Sequence, residues 1–260
     1  MPEPGIGWTG LAASLVLVAV AVGLSFAQRL RLEGPILQAS SRAAIQLLLV
    51  GWALQLVLRP DQPVVWAFTW VVAMVVFAAF TVRRRAPEVP AAFSIALVAT
   101  AAVAIVSLGV IFGFGVFPLE GRAVVPLAGM MIGNSMTSEV LAARRIVAEL
   151  RDKRPEVEAR LALGYPWRSA AAPYVRDALR TALVPQIEAT KAVGLVILPG
   201  AMTGLILAGV DPFDAVVVQL AIMYLVLGSV ATSVTVVGVG LTRRLFTPDH
   251  RLVRLARPAP

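Results

Sequence analysis

Long apolar stretches alternate with short polar segments along most of the chain. Seven stretches stand out: Trp8–Ala27, Ile36–Leu58, Val64–Val82, Ala91–Phe117, Val124–Val140, roughly Thr190–Val210, and Phe213–Leu241. Each is close to or longer than the ~20 residues that an α-helix needs to cross the hydrocarbon core of a bilayer. The pattern predicts an all-α fold, a polytopic transmembrane helical bundle of about seven spans. Residues 1–260 are expected to form a single transmembrane domain.

Positive charges lie almost entirely on one side of this seven-span arrangement. Twenty of the 23 Lys and Arg residues fall on that side, including the run Arg83, Arg84 and Arg85 after the third span. Loops rich in Lys and Arg remain in the cytoplasm, so the N-terminus is predicted outside and the C-terminus inside. A net charge of +8 in a soluble protein would suggest nucleic acid. Here the cations cap membrane helices, which favours contact with anionic membrane lipid and no nucleic acid.

One segment between the predicted spans, at about residues 141–188, is long and charged. Apolar residues recur in it at a broken helical spacing: Ile146, Leu150, Val157, Leu161 and Leu163. This spacing favours cytoplasmic helices. Pro155 permits a new helix start, and Gly164-Tyr165-Pro166 interrupts the run again. A solvated connector and a surface for a cytoplasmic partner both remain open.

The chain lacks the sequence motifs of nucleotide hydrolysis and of common hydrolases. It contains no G-x-x-x-x-G-K-[ST], no H-E-x-x-H and no G-x-S-x-G, and it has no cysteine. No cluster of His or carboxylate residues lies inside the apolar stretches, so nothing there could activate a water molecule. We therefore predict a protein that is not an enzyme, with no catalytic residue and no cofactor.

The fifth span carries polar side chains on one helical face. Met131, Ser135 and Glu139 are spaced i, i+4, i+8 and share a face, while Asn134 lies on the adjoining one. Oxygen and thioether groups in such a stripe suit a passing cation, so these four residues are candidates for a transport path. The alternative is that the polar groups only hold helices together.

The sixth span adds charged and flexible positions. Glu188 and Lys191 are i, i+3 neighbours and can form an ion pair, which lowers the cost of placing either in the membrane. Pro199 beside Gly200 predicts a kink in a continuous helix. Met202 and Thr203 follow the kink and are further candidates for the path. A helix bent only for packing is the alternative.

Small residues in these two spans predict close approach of helices. Gly129 and Gly133 form a G-x-x-x-G pair in the fifth span, and Gly200 and Gly204 form a similar stripe in the sixth. Without a side chain at these positions, two helix backbones can come near each other. Such faces are consistent with a homodimer.

Several runs of the chain resemble the FetB-type family of permease subunits from bacterial iron-exporting ABC transporters, which has plant relatives tied to aluminium tolerance. The runs are Leu179–Pro185, Val193–Val196, Leu198–Gly204, Ile206–Pro212, Gly133–Met136 and Gln219–Tyr224. The resemblance covers essentially the whole chain, including its length, span number and orientation. The family pattern Gly-Met-Met-Thr-Gly-Gln after the proline is here Gly200-Ala201-Met202-Thr203-Gly204-Leu205, with one methionine and one glutamine fewer.

The resemblance implies a permease subunit of an ABC transporter in the bacterial inner membrane. It would export iron or another metal ion as a homodimer, using ATP hydrolysed by a separate cytoplasmic ATPase subunit. The charged segment would then dock the ATPase, with Arg151, Lys153, Arg154 and Arg160 as the expected contacts. A stand-alone secondary transporter or channel is the alternative, and a scaffold or sensor without a substrate is a third class.

Overall fold

In the computed structural model of the chain, the described residues are 8–57, 63–194, 197–247, 249 and 251–253. Leu58, at the end of the predicted second span, lies outside them, as do Leu195 and Val196. The described part of the chain forms nine α-helices: α1 (Trp8–Ala27), α2 (Glu33–Val57), α3 (Val64–Arg85), α4 (Ala92–Gly113), α5 (Gly121–Asp152), α6 (Arg154–Ala162), α7 (Trp167–Ala192), α8 (Gly200–Leu207) and α9 (Pro212–Leu245). The predicted all-α membrane bundle is confirmed.

Three of the described helices are long and apolar enough to cross a membrane by length and composition. They are α3, α4 and α9. The described apolar part of α1, Ala12–Ala27, is shorter. The count of seven spans and the orientation of the termini stay predictions.

The chain divides into two compact units, Met1–Gln62 and Pro63–Pro260. In the first unit, α1 packs against α2. The hydroxyl of Ser25 donates to Glu33 Oε1 over 2.8 Å and accepts from the backbone N–H of Leu32 over 3.1 Å. One serine thus ties the turn between the helices, while apolar side chains such as Leu17 and Phe26 remain exposed, as expected of a surface that meets lipid.

Helix α5 is the centre of the second unit. It packs against α3, α4, α6, α7 and α9. Its 32 residues span about 48 Å, which exceeds the ~30 Å thickness of the hydrocarbon core. The helix therefore extends continuously from the predicted fifth span into the charged segment.

The core of the second unit consists mainly of small residues. Ala79 and Ala96 are buried in one cluster with Val82, where α3 meets α4 and α5. Small side chains allow helices to approach closely and to gain van der Waals contact. Close packing at this centre gives the bundle a fixed register, on which the geometry of its buried polar groups depends.

Helices occupy most of residues 141–188. After α5 ends at Asp152, α6 begins at Arg154 with Pro155 in its first turn, where a missing N–H is tolerated. Gly164 has φ of +86°, a left-handed conformation that glycine adopts readily, and the chain then turns into α7. The charged segment is thus three helices in series.

The predicted sixth span is not one continuous helix. The expected helix over roughly Thr190–Val210 with a kink at Pro199 was wrong, because α7 ends at Ala192 and α8 begins only at Gly200. Gly194 leaves the helix with φ of +87°, and its N–H donates to the carbonyl of Ile197 over 3.0 Å. Pro199 has no N–H and disfavours a helical residue before it, so the chain restarts a helix after Pro199 and does not bend through it.

Candidate functional site

Polar side chains are buried where α4, α5 and α9 meet. We call six of them the polar column: Thr100 and Ser107 on α4, Ser135 and Glu139 on α5, and Gln219 and Ser229 on α9. All six are buried, and the three helices pack against one another pairwise. A buried ionisable residue such as Glu139 is rare within a membrane bundle and marks a candidate functional site.

Glu139 is the charged member of the column and is fully buried. The hydroxyl of Thr100 donates to its two carboxylate oxygens, over 3.4 Å to Oε1 and 3.3 Å to Oε2. Among the described residues, no Lys or Arg forms an ion pair with Glu139. An unpaired buried carboxylate is costly, and a cation beside it would reduce that cost.

Two contacts define how α4 and α9 run past each other. The hydroxyls of Ser107 and Ser229 lie 2.7 Å apart, and Ile95 Cγ2 lies 3.5 Å from the position that a Cβ on Gly240 would take. A residue earlier on α4 thus meets one later on α9, so the helices are antiparallel.

This register gives the column its length. Thr100 lies about 10 Å along α4 to one side of the serine pair, and Gln219 lies about 15 Å along α9 to the other. The polar column therefore extends over about 25 Å, close to the ~30 Å depth of a hydrocarbon core.

Two oxygen atoms of the column have no hydrogen-bond partner among the described residues. They are Ser135 Oγ and Gln219 Oε1, and both are buried. A buried polar atom without a partner costs about 1–3 kcal/mol. Such atoms are suited to a transient ligand, since they bind it without first breaking an existing bond.

The structure brings together three of the path candidates on α5. Met131, Ser135 and Glu139 are all buried on the face that the helical spacing assigned to them. Asn134 points elsewhere and is exposed, and its Nδ2 donates to the carbonyl of Met130 one turn back, over 2.8 Å. Asn134 is thus outside the polar column.

The candidates on the sixth span also lie outside the column. Glu188 and Lys191 are exposed near the end of α7 and form the expected ion pair, with Nζ 2.8 Å from Oε1. Met202 is half-buried in α8. Thr203 is exposed, and its hydroxyl donates to the carbonyl of Pro199 over 3.2 Å.

The four glycines chosen for close packing differ in their surroundings. A Cβ on Gly129 would lie 3.3 Å from Met74 Cε on α3, so this glycine does allow a close approach. Gly133, Gly200 and Gly204 have no described atom within 4 Å of such a Cβ. Within this chain their faces are open.

Most cations of the expected ATPase contact are paired within the chain. Arg151 pairs with Asp152 at 2.8 Å, and the hydrogen bond that Arg151 donates to Asp152 raises the pKa of Arg151. Lys153 pairs with Glu156 at 3.0 Å, which raises the pKa of Lys153.

Arg154 is held by two kinds of acceptor. It pairs with Glu158 at 2.6 Å, and its guanidinium also donates to the carbonyl of Leu252 over 3.1 Å. Arg160 has no carboxylate within ion-pairing distance in the described chain, and its guanidinium lies 5.8 Å from the ring centroid of Tyr174. Of the four cations, Arg160 is the one without an ion pair among the described residues, and its guanidinium interacts with the hydroxyl of Tyr174.

Sequence reasoning missed Thr100, Ser107 and Ser229 as members of a site, and it noted Gln219 only as part of a family run. Single hydroxyls in apolar helices are common because they bond to their own backbone, as Ser229 does to Leu225. A usable signal was that Thr100 and Ser107 are two turns apart on one face of a very apolar helix. Among the described residues, no group of three or more His, Cys, Asp or Glu could hold a metal ion.

Comparison with known proteins identifies relatives over nearly the whole chain. The profile of UPF0014, an uncharacterised protein family, matches residues 8–246. The UPF0014 membrane protein STAR2 of Oryza sativa subsp. japonica is 39% identical over 228 residues, covering 88% of this chain and 80% of the relative.

Two further relatives carry descriptive names. The Probable iron export permease protein FetB of Escherichia coli is 33% identical over 248 residues, covering 94% of this chain and 93% of its own. The Protein ALUMINUM SENSITIVE 3 of Arabidopsis thaliana is 34% identical over 222 residues, covering 85% of this chain and 81% of the relative. No solved structure gives a significant match. The resemblance found in the sequence is confirmed, and the chain belongs to the UPF0014 family of membrane proteins.

Proposed function

We propose that the chain is the membrane permease subunit of an ABC transporter that exports a metal ion from a bacterial cell, with iron as the leading substrate. The name of the Escherichia coli relative, Probable iron export permease protein FetB, supports both the permease role and iron. Two copies of the chain would assemble in the inner membrane with separate cytoplasmic ATPase subunits, which would supply the ATP-binding motif that this chain lacks.

The observation that carries the proposal is the polar column with Glu139 in it. Its groups are hydroxyl, amide and carboxylate oxygens, which suit hard cations. Soft Cu(I) would favour thiolate, which a chain without cysteine does not offer. Met131, on the same face of α5 as Glu139, is the softest donor nearby.

Helix α5 supplies the mechanical link in this proposal. It carries Ser135 and Glu139 in the column and continues as one rigid element to Asp152, where α6 begins. Closure of an ATPase against α6 would move the inner end of α5. Because α5 packs between α4 and α9, that motion would change which side of the membrane has access to Glu139.

Transport in vesicles tests the proposal. Inverted vesicles or proteoliposomes containing the chain would be assayed for iron movement with and without the candidate ATPase and ATP. We expect movement only with both. Glu139→Gln should lower it by about tenfold or more, because the amide keeps the size of the side chain but removes the negative charge that would attract a cation. Glu149→Gln, ten residues further along α5, is the matched control and should transport normally.

Other outcomes separate the competing functions. Metal movement without the ATPase would favour a secondary transporter or channel. If the chain stimulated the ATPase but moved no metal, the assignment to an ABC transporter would stand and a metal substrate would be rejected. An equal loss of transport in the Glu139 and Glu149 variants would show that the polar column is not part of the transport path.

A further inference from the structure

We infer that a trough between α7 and α9 binds the phosphate headgroup of an anionic phospholipid. The trough has a volume of about 510 Å³. Arg168 and Arg176 of α7 and Arg243 of α9 line it together with apolar residues of both helices, Val175 and Val239 among them. It lies away from the polar column and takes no part in the proposed cation path.

The charges of the trough are not neutralised within the chain. Arg168, Arg176 and Arg243 are exposed, and in the described residues none of them forms an ion pair. Two other cations, Lys153 and Arg154, differ in that each has a carboxylate partner. Three unpaired guanidinium groups around one trough are complementary to a phosphate, which arginine can bind with two parallel hydrogen bonds.

The trough also lies where a headgroup would be found. The apolar stretch of α9 runs to Leu241, and Arg243 follows after Thr242, so the cations are at the end of the apolar stretch. Trp167, at the start of α7, stacks on Phe246 with ring centroids 5.5 Å apart. Tryptophan is enriched at the level of lipid headgroups, and positive-inside placement assigns this end to the leaflet that carries anionic lipid.

The combination of groups favours a lipid over other occupants. A free anion would use the arginines but would gain nothing from the apolar floor. An acyl chain can lie along that floor beside Val239 while the phosphate reaches Arg176 and Arg243. The short side chain of Thr235 on α9 leaves space for it.

Native mass spectrometry of the full chain in mild detergent tests the inference. Phosphatidylglycerol and phosphatidylcholine with identical acyl chains would be titrated separately after delipidation. We expect tight binding of phosphatidylglycerol alone. Arg176→Gln and Arg243→Gln should each weaken it about fivefold, and the double variant about thirtyfold.

Matched controls exist on the same two helices. Arg180 of α7 and Arg244 of α9 are exposed and do not line the trough. Arg180→Gln and Arg244→Gln should bind phosphatidylglycerol like the unaltered chain. Thr235→Trp keeps every charge and fills the trough, and it should also displace the lipid, which separates a built site from a general attraction of cations for anions.

Four results would overturn the inference. Equal binding of the two lipids would show that the headgroup is not recognised. Equal weakening in the control variants would show that binding depends only on net charge. If inorganic phosphate at millimolar concentration displaced bound lipid as effectively as added phosphatidylglycerol does, the trough would be a site for a free anion. If lipid binding were lost only when a dimer of the chain dissociates, the trough would be a contact site for a second copy of the chain.

Discussion

At the scale of single residues, one glycine decides how closely α7 approaches α9. A Cβ on Gly238 would lie 2.9 Å from Leu179 Cδ1 and 3.4 Å from its Cγ. The first distance is shorter than van der Waals contact, and Cδ2 of the same side chain lies only 3.0 Å away, so both methyl groups would have to move. Gly238 is therefore required by its neighbour, while Gly228 of the same helix has open space around it.

Substitution of these two glycines should have opposite effects. Gly238→Ala overpacks the interface with Leu179 and should lower the free energy of unfolding by about 1–3 kcal/mol relative to Gly228→Ala. Unfolding in mixed micelles with increasing dodecyl sulfate measures both. In a double-mutant cycle, Leu179→Ala should relieve the loss at Gly238. Equal stability of the two alanine variants would contradict the close approach.

At the scale of elements, side chains of α6 and α7 hold the charged segment together. Glu156 of α6 accepts hydrogen bonds from Lys153 over 3.0 Å and from Tyr174 of α7 over 2.9 Å. The bond from Lys153, and then that from Tyr174, lowers the pKa of Glu156 below its ordinary value of 4.5. Burial, followed by the bond to Glu156, raises the pKa of Tyr174. The carboxylate thus links the two helices most strongly while it is ionised.

This link predicts a pH dependence of stability. Because the pKa of Glu156 is lower in the folded chain, its contribution is present above pH 4.5 and is lost as the pH falls through the lowered value. We expect the difference in thermal unfolding midpoint between the unaltered chain and Glu156→Gln to shrink below pH 4.5. Glu120→Gln, at the other end of α5, is the control. A difference that stays constant with pH would rule out the ionised link.

At the scale of the whole molecule, the proposed assembly needs surfaces that this chain does not cover itself. Asn134 and Gly133 are exposed on α5, and Gly200 and Gly204 are open on α8. In a homodimer such small-residue faces would allow a second copy to approach closely. Arg151, Lys153 and Arg154 form ion pairs within the chain, so substitution of Arg160 is the most direct test of docking to the ATPase.

Charge reversal at Arg160 should weaken association with the ATPase. Arg160→Glu removes an exposed cation without breaking an ion pair of the described chain, and we expect co-purification to fall about tenfold, the scale of a single charged contact at an interface. Arg84→Glu is the matched control, since Arg84 also lies over an aromatic ring, 4.7 Å from the centroid of Phe80.

The two outcomes of this reversal are distinct. Normal membrane insertion with reduced ATPase recovery would support docking at α6. Undiminished recovery would move the docking surface elsewhere. Reversal of Arg154 is less informative, because it would also release the carbonyls of Leu252 and Val253.

Much of the candidate site could be predicted from residue spacing alone. The i, i+4, i+8 pattern placed Met131, Ser135 and Glu139 on one face of α5, because helical periodicity fixes which side chains of a single helix share a face. The same spacing could not tell that Asn134 is exposed, since that depends on which neighbours surround α5. It also could not pair Thr100 with Glu139, which lie 39 residues apart on different helices.

By itself, the sequence determined the class of the protein, because hydrophobic length and composition decide whether a chain can reside in a bilayer and need no knowledge of its neighbours. The family followed from several short runs that resemble the runs of that family. Only the tertiary structure decided that the sixth stretch breaks at Gly194 and Pro199, since a proline in a membrane helix is compatible with either a kink or a restart. Only the packing of α4, α5 and α9 turned scattered hydroxyls into a column, because contacts between helices depend on register, which local sequence does not encode.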